Sequence, residues 1–178
     1  MKLRVDRITE DVAHCAFEEP PQDINARLAQ GDVHEFRLLG PLSVSTDYYR
    51  AGVDLFFAGR IRGEVEGTCA RCLEPFGMTL DQAAQFVLVP QRAELAEHEL
   101  AADDLALSYY AGEEVELAPL FVEQAILALP TRALCREDCR GLCPGCGVNR
   151  NRETCGCGAP APDPRLAALR QLRVERSS

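Results

Sequence analysis

The sequence predicts an α+β protein: a β-rich antiparallel body with one packed helix, a small cysteine-rich zinc-binding C-terminal module, and a terminal helix. Three observations lead there. Apolar and charged residues alternate through positions 55–66, the period of a half-buried strand. An almost wholly apolar stretch bounded by prolines, 119–129, reads as a buried helix. Eight of the nine cysteines fall in four short pairs, Cys69/Cys72, Cys135/Cys139, Cys143/Cys146 and Cys155/Cys157.

Taken in order, Ile24 to Gln30 forms a short helix closed by Gly31, and Val33 to Leu38 forms a strand ended by the Gly40-Pro41 turn. Leu55, Phe57, Ile61 and Val65 alternate with Arg60, Arg62, Glu64 and Glu66. Gly59, Gly63 and Gly67 share the apolar side, where glycine signals a bend, a bulge or close backbone approach. This strand runs directly into Cys69-Ala70-Arg71-Cys72, so the first pair sits at a strand end or hairpin turn. Phe76, Met78 and Leu80 alternate, and the run Phe86 to Val89 stops at Pro90; both read as strands. Residues 92–104 are rich in Ala and Glu, which suits a solvated loop or a weak helix. Leu105, Leu107 and Tyr109 resume the alternation before Ala111-Gly112. Pro119 fits the first turn of the helix, where its missing N–H is not needed, and Pro130 stops it. Leu120, Phe121, Val122, Ile126 and Leu129 cover most of its circumference, so its role is core.

These elements divide the chain into an acidic β-rich body (1–130), a zinc-binding module (131–158) and a Pro-rich linker with a basic helix (159–178). The last helix starts at Asp163-Pro164, with Leu166, Leu169 and Leu172 on one side and Arg165, Arg170, Arg173 and Arg176 around the rest. The formal charge of −9 conceals a division. Residues 131–178 hold nine arginines and five acidic residues, net +4, whereas residues 1–130 hold ten basic and 23 acidic residues, net −13. A body this acidic repels phosphate, so contact with RNA has to be local, through the arginine-bearing tail; a basic protein partner suits the body equally.

The start, Met1 to Arg7, lacks the apolar core of a signal peptide, and no apolar run approaches the ~18 residues of a membrane span. A cytoplasmic protein without membrane contact is expected. Enzyme signatures are weak: His14, His34 and His98 are scattered, and neither a phosphate-binding loop nor a serine-nucleophile motif occurs. No small-molecule substrate is implied. The consecutive tyrosines Tyr48 and Tyr49 point to opposite strand faces, so they make no stacking platform. Cys15 stands alone as a small apolar filler.

Four paired positions are what tetrahedral zinc needs, because two thiolates from one tight turn fill half its coordination shell. In a reducing compartment such pairs serve as metal ligands or catalytic groups before they serve as cystines. The strongest single motif is Cys143-Pro144-Gly145-Cys146-Gly147, in which backbone N–H groups can point at the sulfurs. The module around it has too few large apolar residues to order itself by burial, so metal has to supply the fold. The preferred scheme joins Cys69 and Cys72 to Cys135 and Cys139, clamping the tail onto the body, with Cys143, Cys146, Cys155 and Cys157 forming a local site. A rival scheme puts Cys135, Cys139, Cys143 and Cys146 on one ion. Two structural Zn²⁺ ions are expected. The spacing of Cys69/Cys72 also admits a redox dithiol, although the following Pro75 argues against the long helix that such motifs use.

In combination these segments resemble a known group. The stretch from Gly63 through Cys69-Ala-Arg-Cys72-Leu-Glu-Pro-Phe76 is similar to the hallmark of the YceD family, the large ribosomal RNA subunit accumulation proteins. So are Ile126-Leu-Ala-Leu-Pro130, the cysteine spacing from Cys135 to Asn149, and the ending Asp163-Pro164-Arg165-Leu166-Ala167. Arg150 departs from the pattern, standing where the family usually has leucine between two asparagines. The resemblance implies a cytoplasmic bacterial protein without catalytic activity, needed for large-subunit ribosomal RNA to accumulate. Its partner would be the precursor RNA or a basic ribosomal protein. The alternative is a zinc-linked redox sensor or thiol oxidoreductase, motivated by the two Cys-x-x-Cys pairs.

Overall fold

The alternation at 55–66 belongs to the longest ladder of the molecule. The computed structural model describes residues 1–30, 35–91, 107–158 and Arg165. Along the chain come β1 (Lys2–Arg4), a 3-10 turn (Val5–Arg7), β2 (Ala13–Glu19), α1 (Pro21–Gln30), β3 (Phe36–Leu38) and β4 (Leu42–Ala51). Then follow β5 (Asp54–Thr68), β6 (Pro75–Pro90), β7 (Leu107–Tyr110), β8 (Glu114–Glu116) and α2 (Leu117–Leu127). The main sheet has the order β2-β4-β5-β6-β7, with β3 also pairing β5, while β1 and β8 make a separate two-stranded ribbon. Every pairing is antiparallel except β6 with β7, which is parallel, so the sheet is mixed at that edge.

The period-two pattern sorts the faces as expected. Leu55, Phe57, Ile61 and Val65 are buried, and Gly59 lies on their side, where β4 presses close. A Cβ on Gly59 would stand 2.7 Å from the Thr46 Cβ and from the Ser45 carbonyl oxygen. Helix α2 covers this inner face. Phe121, fully buried, meets Phe17 of β2 and Phe86 of β6 edge-on, with centroids 6.0 and 5.1 Å away. Helix α1 contributes Ile24 and Leu28, and the Asn25 side chain both accepts from the Leu38 N–H (2.8 Å) and donates to its carbonyl (3.1 Å), fastening β3.

Several boundaries differ from the sequence reading. The two segments around Phe76–Leu80 and Phe86–Val89 are one unbroken strand, β6, because fourteen register pairs with β5 carry it across the polar middle, Asp81 to Gln85. Helix α2 begins and ends two residues before the expected 119–129. Glu116 is its extended N-cap, so Pro119 falls third and still within the first turn, where no N–H is required. At its end the Leu129 N–H reaches only back to the Ile126 carbonyl (3.2 Å), tightening the last turn into 3-10 form. Helix α1 starts at Pro21, ahead of Ile24, and β3 takes only the end of the expected 33–38 strand. Gly31, Val33, His34, the 92–104 stretch with His98, Leu105 and the helix expected from Asp163 lie outside the described residues. Strands β1, β2, β4 and β8 are additions to the reading. Cys15, on β2, is half-buried against the core, and burial raises its thiol pKa.

Two features of this fold position the cysteines. The β5–β6 ladder ends at Thr68 and Pro75, so Cys69 to Glu74 form the tip of its hairpin. Helix α2 is locked onto the sheet by Phe121, and the chain leaving it passes through buried Ala133 directly beside that tip.

Candidate metal centre

The hairpin tip is shaped by its backbone. The Leu73 N–H donates to the Cys69 carbonyl (2.8 Å) and the Cys69 N–H to that of Glu74 (2.9 Å). Leu73 adopts a left-handed conformation (φ 59°), a strained state for a residue with a Cβ. The segment after α2 is then stitched on. Ala70 N–H donates to the Ala133 carbonyl (2.8 Å), and Leu142 N–H donates to that of Arg71 (3.0 Å). The Arg71 guanidinium donates to the carbonyls of Glu137 (2.9 Å) and Cys139 (2.8 Å). Gly141, at φ +69°, passes so near that a Cβ there would lie 2.8 Å from the Arg71 carbonyl oxygen.

The result is a first tetrad, Cys69, Cys72, Cys135 and Cys139, whose sulfurs all lie within 4.8 Å of one another. Cys69 and Cys139 are 3.8 Å apart, as are Cys72 and Cys135. Thiolates ~2.3 Å from a tetrahedral zinc would form edges of about 3.8 Å, so the donor set fits that ion. A disulfide would require about 2.05 Å. Three of the four are buried and Cys135 is exposed.

The second tetrad, Cys143, Cys146, Cys155 and Cys157, meets the same 4.8 Å criterion. Leu142 and Asn149 pair as a bridge, Cys143 N–H donates to the Val148 carbonyl (2.8 Å), and Gly147 N–H donates to that of Cys143 (2.8 Å). Gly147 takes φ 76° to close this turn. Cys155 folds back to 3.3 Å from Cys143, and Cys157 packs on Gly145, where a Cβ would come 3.3 Å from its sulfur. All eight candidate cysteines are thus gathered, four and four. The structure does not unite Cys135 and Cys139 with Cys143 and Cys146.

The electrostatics of each cluster are those of a site built around a cation. Burial resists ionisation of Cys69, but backbone N–H groups at Cys135, Cys72 and Arg71 outweigh it and draw the thiol down to about 6. Backbone N–H groups of Cys146 and Gly145 likewise bring Cys143 to about 6. Cys135 is pushed up to about 12 by burial and by its sulfur neighbours, and Cys157 to about 12 by Cys146 and Cys143. Ionisation is thus favoured at Cys69 and Cys139 in the first cluster and at Cys143 in the second, and opposed at their sulfur neighbours. A dication reverses that opposition, deprotonating coordinated thiols outright.

Asn151 was not singled out by the sequence reading. Its amide donates to the Cys139 sulfur (3.3 Å) and to Asn149 Oδ1 (2.8 Å), and it helps lower the Cys139 pKa against burial. An asparagine two residues past another, just after a cysteine turn, was the available signal.

Elsewhere, His14 bonds Asp47 (2.7 Å) and approaches Ser45 (3.4 Å) on the open face of the sheet. These are exposed cross-strand neighbours on β2 and β4. Tyr48 and Tyr49 do face opposite ways, onto Phe57 and Phe56 respectively. No helix among the described residues is long and apolar enough to cross a membrane.

Fold and site together define a strand-rich α+β protein with two four-cysteine clusters positioned to hold metal ions. The chain belongs to the YceD family: the family model for large ribosomal RNA subunit accumulation protein YceD matches residues 57–173, a stretch that includes both clusters. An uncharacterized protein of Mycobacterium bovis and its counterparts in two strains of Mycobacterium tuberculosis are 31% identical over 115 residues, 64% of this chain and 53% of theirs. The chain therefore spans about half the length of the curated relatives it matches. No solved structure matches it.

Proposed function

We propose that this protein is a non-catalytic ribosome-biogenesis factor that promotes accumulation and processing of large-subunit ribosomal RNA. The observation that carries the reading is the family match over 57–173, which spans both clusters. The ribosomal role comes from the family, and the clusters give it a physical form. One zinc ion is held by Cys69, Cys72, Cys135 and Cys139, the other by Cys143, Cys146, Cys155 and Cys157. Both ions are structural. Four protein thiolates close a tetrahedral shell and leave no position for water or substrate.

In this reading residues 1–130 are the body, 131–158 the metal-ordered module, and 159–178 a linker and basic helix. The first ion staples the module to the hairpin tip, contributing on the order of 10–16 kcal/mol of apparent binding energy at neutral pH, as in zinc-finger peptides. The protein acts in the cytoplasm on the precursor RNA or through a basic ribosomal protein. Deleting the gene and measuring mature large-subunit ribosomal RNA tests the proposal. Loss of that RNA, restored by the wild-type gene and not by Cys69→Ser/Cys72→Ser, is expected. Normal accumulation in the deletion strain would refute it.

A further inference from the structure

The arginines around the clusters divide into two kinds. Arg71 caps two carbonyls, Arg136 donates to Asn151 (2.7 Å) and pairs with Asp138, and Arg152 pairs with Glu74. Arg140 and Arg150 behave otherwise. Among the described residues neither guanidinium has a hydrogen-bond or ion-pair partner, although both backbones are fixed. Arg140 N–H donates to Asn151 Oδ1 (2.8 Å), and Arg150 N–H donates to the Gly141 carbonyl (2.9 Å). Both side chains line one open cavity of about 300 Å³, together with Thr154, Glu153, Cys143 and Cys155.

Resting on the ribosomal RNA reading, we propose that Arg140 and Arg150 form a phosphate-binding lip that grips the sugar–phosphate backbone of RNA. Guanidinium forks match phosphate oxygens in pairs, and the fixed backbones of these two aim both at one cavity. The Thr154 hydroxyl adds a further donor. Glu153 and the −2 charge that four thiolates keep around a divalent ion temper the site. That balance favours a singly charged phosphodiester over a dianionic free phosphate. It also keeps the contact local, which suits a protein whose formal charge is −9.

The test uses the full zinc-loaded chain and a fluorescein-labelled single-stranded RNA of mixed sequence, titrated by anisotropy over a range of salt. Arg140→Gln/Arg150→Gln should weaken binding about tenfold and flatten the log–log salt slope by about 1.4, two single-strand phosphate contacts. The control Arg27→Gln/Arg37→Gln removes equal charge from the body and should change neither quantity. Inorganic phosphate at matched ionic strength should fail to displace the RNA. Equal zinc content and circular dichroism establish that the variants are folded. Unchanged RNA binding by the double variant, or displacement by inorganic phosphate, would overturn the lip. Complementation separates this from the broader reading. If the wild-type gene restores ribosomal RNA in the deletion strain and the double variant does so equally, the lip is wrong and the ribosomal role stands. If deletion leaves the RNA normal, the ribosomal role itself fails.

Discussion

The side-chain amide of Asn151 donates to the sulfur of Cys139 across 3.3 Å, although Asn151 follows the hairpin of the other cluster. Its oxygen meanwhile accepts from Arg136 and from the Arg140 backbone. Closure of the second cluster thus delivers a donor to the first, and the two sites share one strut.

Asn151→Leu should therefore weaken metal binding at the first cluster by about 10- to 100-fold, the range seen when outer hydrogen bonds to metal ligands are removed. The second cluster, which Asn151 does not touch through sulfur, should keep its affinity. Chelator competition on the zinc-loaded protein, with cobalt(II) absorption resolving the two sites, reads both. Equal affinities in wild type and variant would show that the amide–sulfur contact is incidental.

Gly141 and Gly112 offer a paired test of the clamp. Both adopt positive φ, +69° and +82°, but a Cβ on Gly141 meets the Arg71 carbonyl at 2.8 Å whereas one on Gly112 meets nothing within 4 Å. Alanine at either position incurs backbone strain of roughly 1–3 kcal/mol. Only Gly141→Ala should add the clash, so it should lower the thermal midpoint further and speed exchange of the Leu142 amide, which donates to Arg71. Equal losses at the two sites would mean the hairpin tip yields freely.

How much of this was legible beforehand depended on how strongly each segment expressed its period. Leu55, Phe57, Ile61 and Val65 are large and regularly spaced, and their strand was readable. Ala13 to Glu19 carries small or polar groups at most positions, and β2 exists because Phe17 reaches Phe121 across the core, a contact invisible in local sequence. The break read between Leu80 and Phe86 reflected polar residues that a long ladder simply carries through. The four cysteine pairs were readable from their short intervals, but which pairs share a cluster was not, because spacing alone left the grouping of Cys135 and Cys139 with Cys143 and Cys146 open. Asn151 and Arg71 were not, since their roles arise from backbone that the clusters themselves bring together.

Body and module should separate under chelation. The body has its own core, with Phe121, Leu55, Ile61 and Leu88 almost wholly buried. Phe121→Ala should cost about 3–5 kcal/mol in denaturant unfolding. Removing metal from the wild type should instead abolish amide protection across 133–158 while leaving β4, β5 and β6 protected. Hydrogen exchange with and without chelator distinguishes these outcomes. Uniform loss of protection would show that the ions hold the whole molecule.

The pH response follows from opposed thiols. Cys69 and Cys143, drawn from 9.0 to about 6, favour the closed clusters fully above pH 9, and that contribution fades as pH falls toward 6. Cys135 and Cys157, raised to about 12, contribute fully below pH 9 and lose it as pH climbs toward 12. Closed clusters without metal are therefore least unstable near pH 9, and chelation should open the module more completely at lower or higher pH, as hydrogen exchange across that range would record. Once chelation opens the module its thiols return toward 9.0, so loading zinc at pH 7 should release close to four protons per ion. Calorimetry in two buffers of different ionisation enthalpy counts them. Zinc uptake without proton release would mean that these sulfurs are not the ligands.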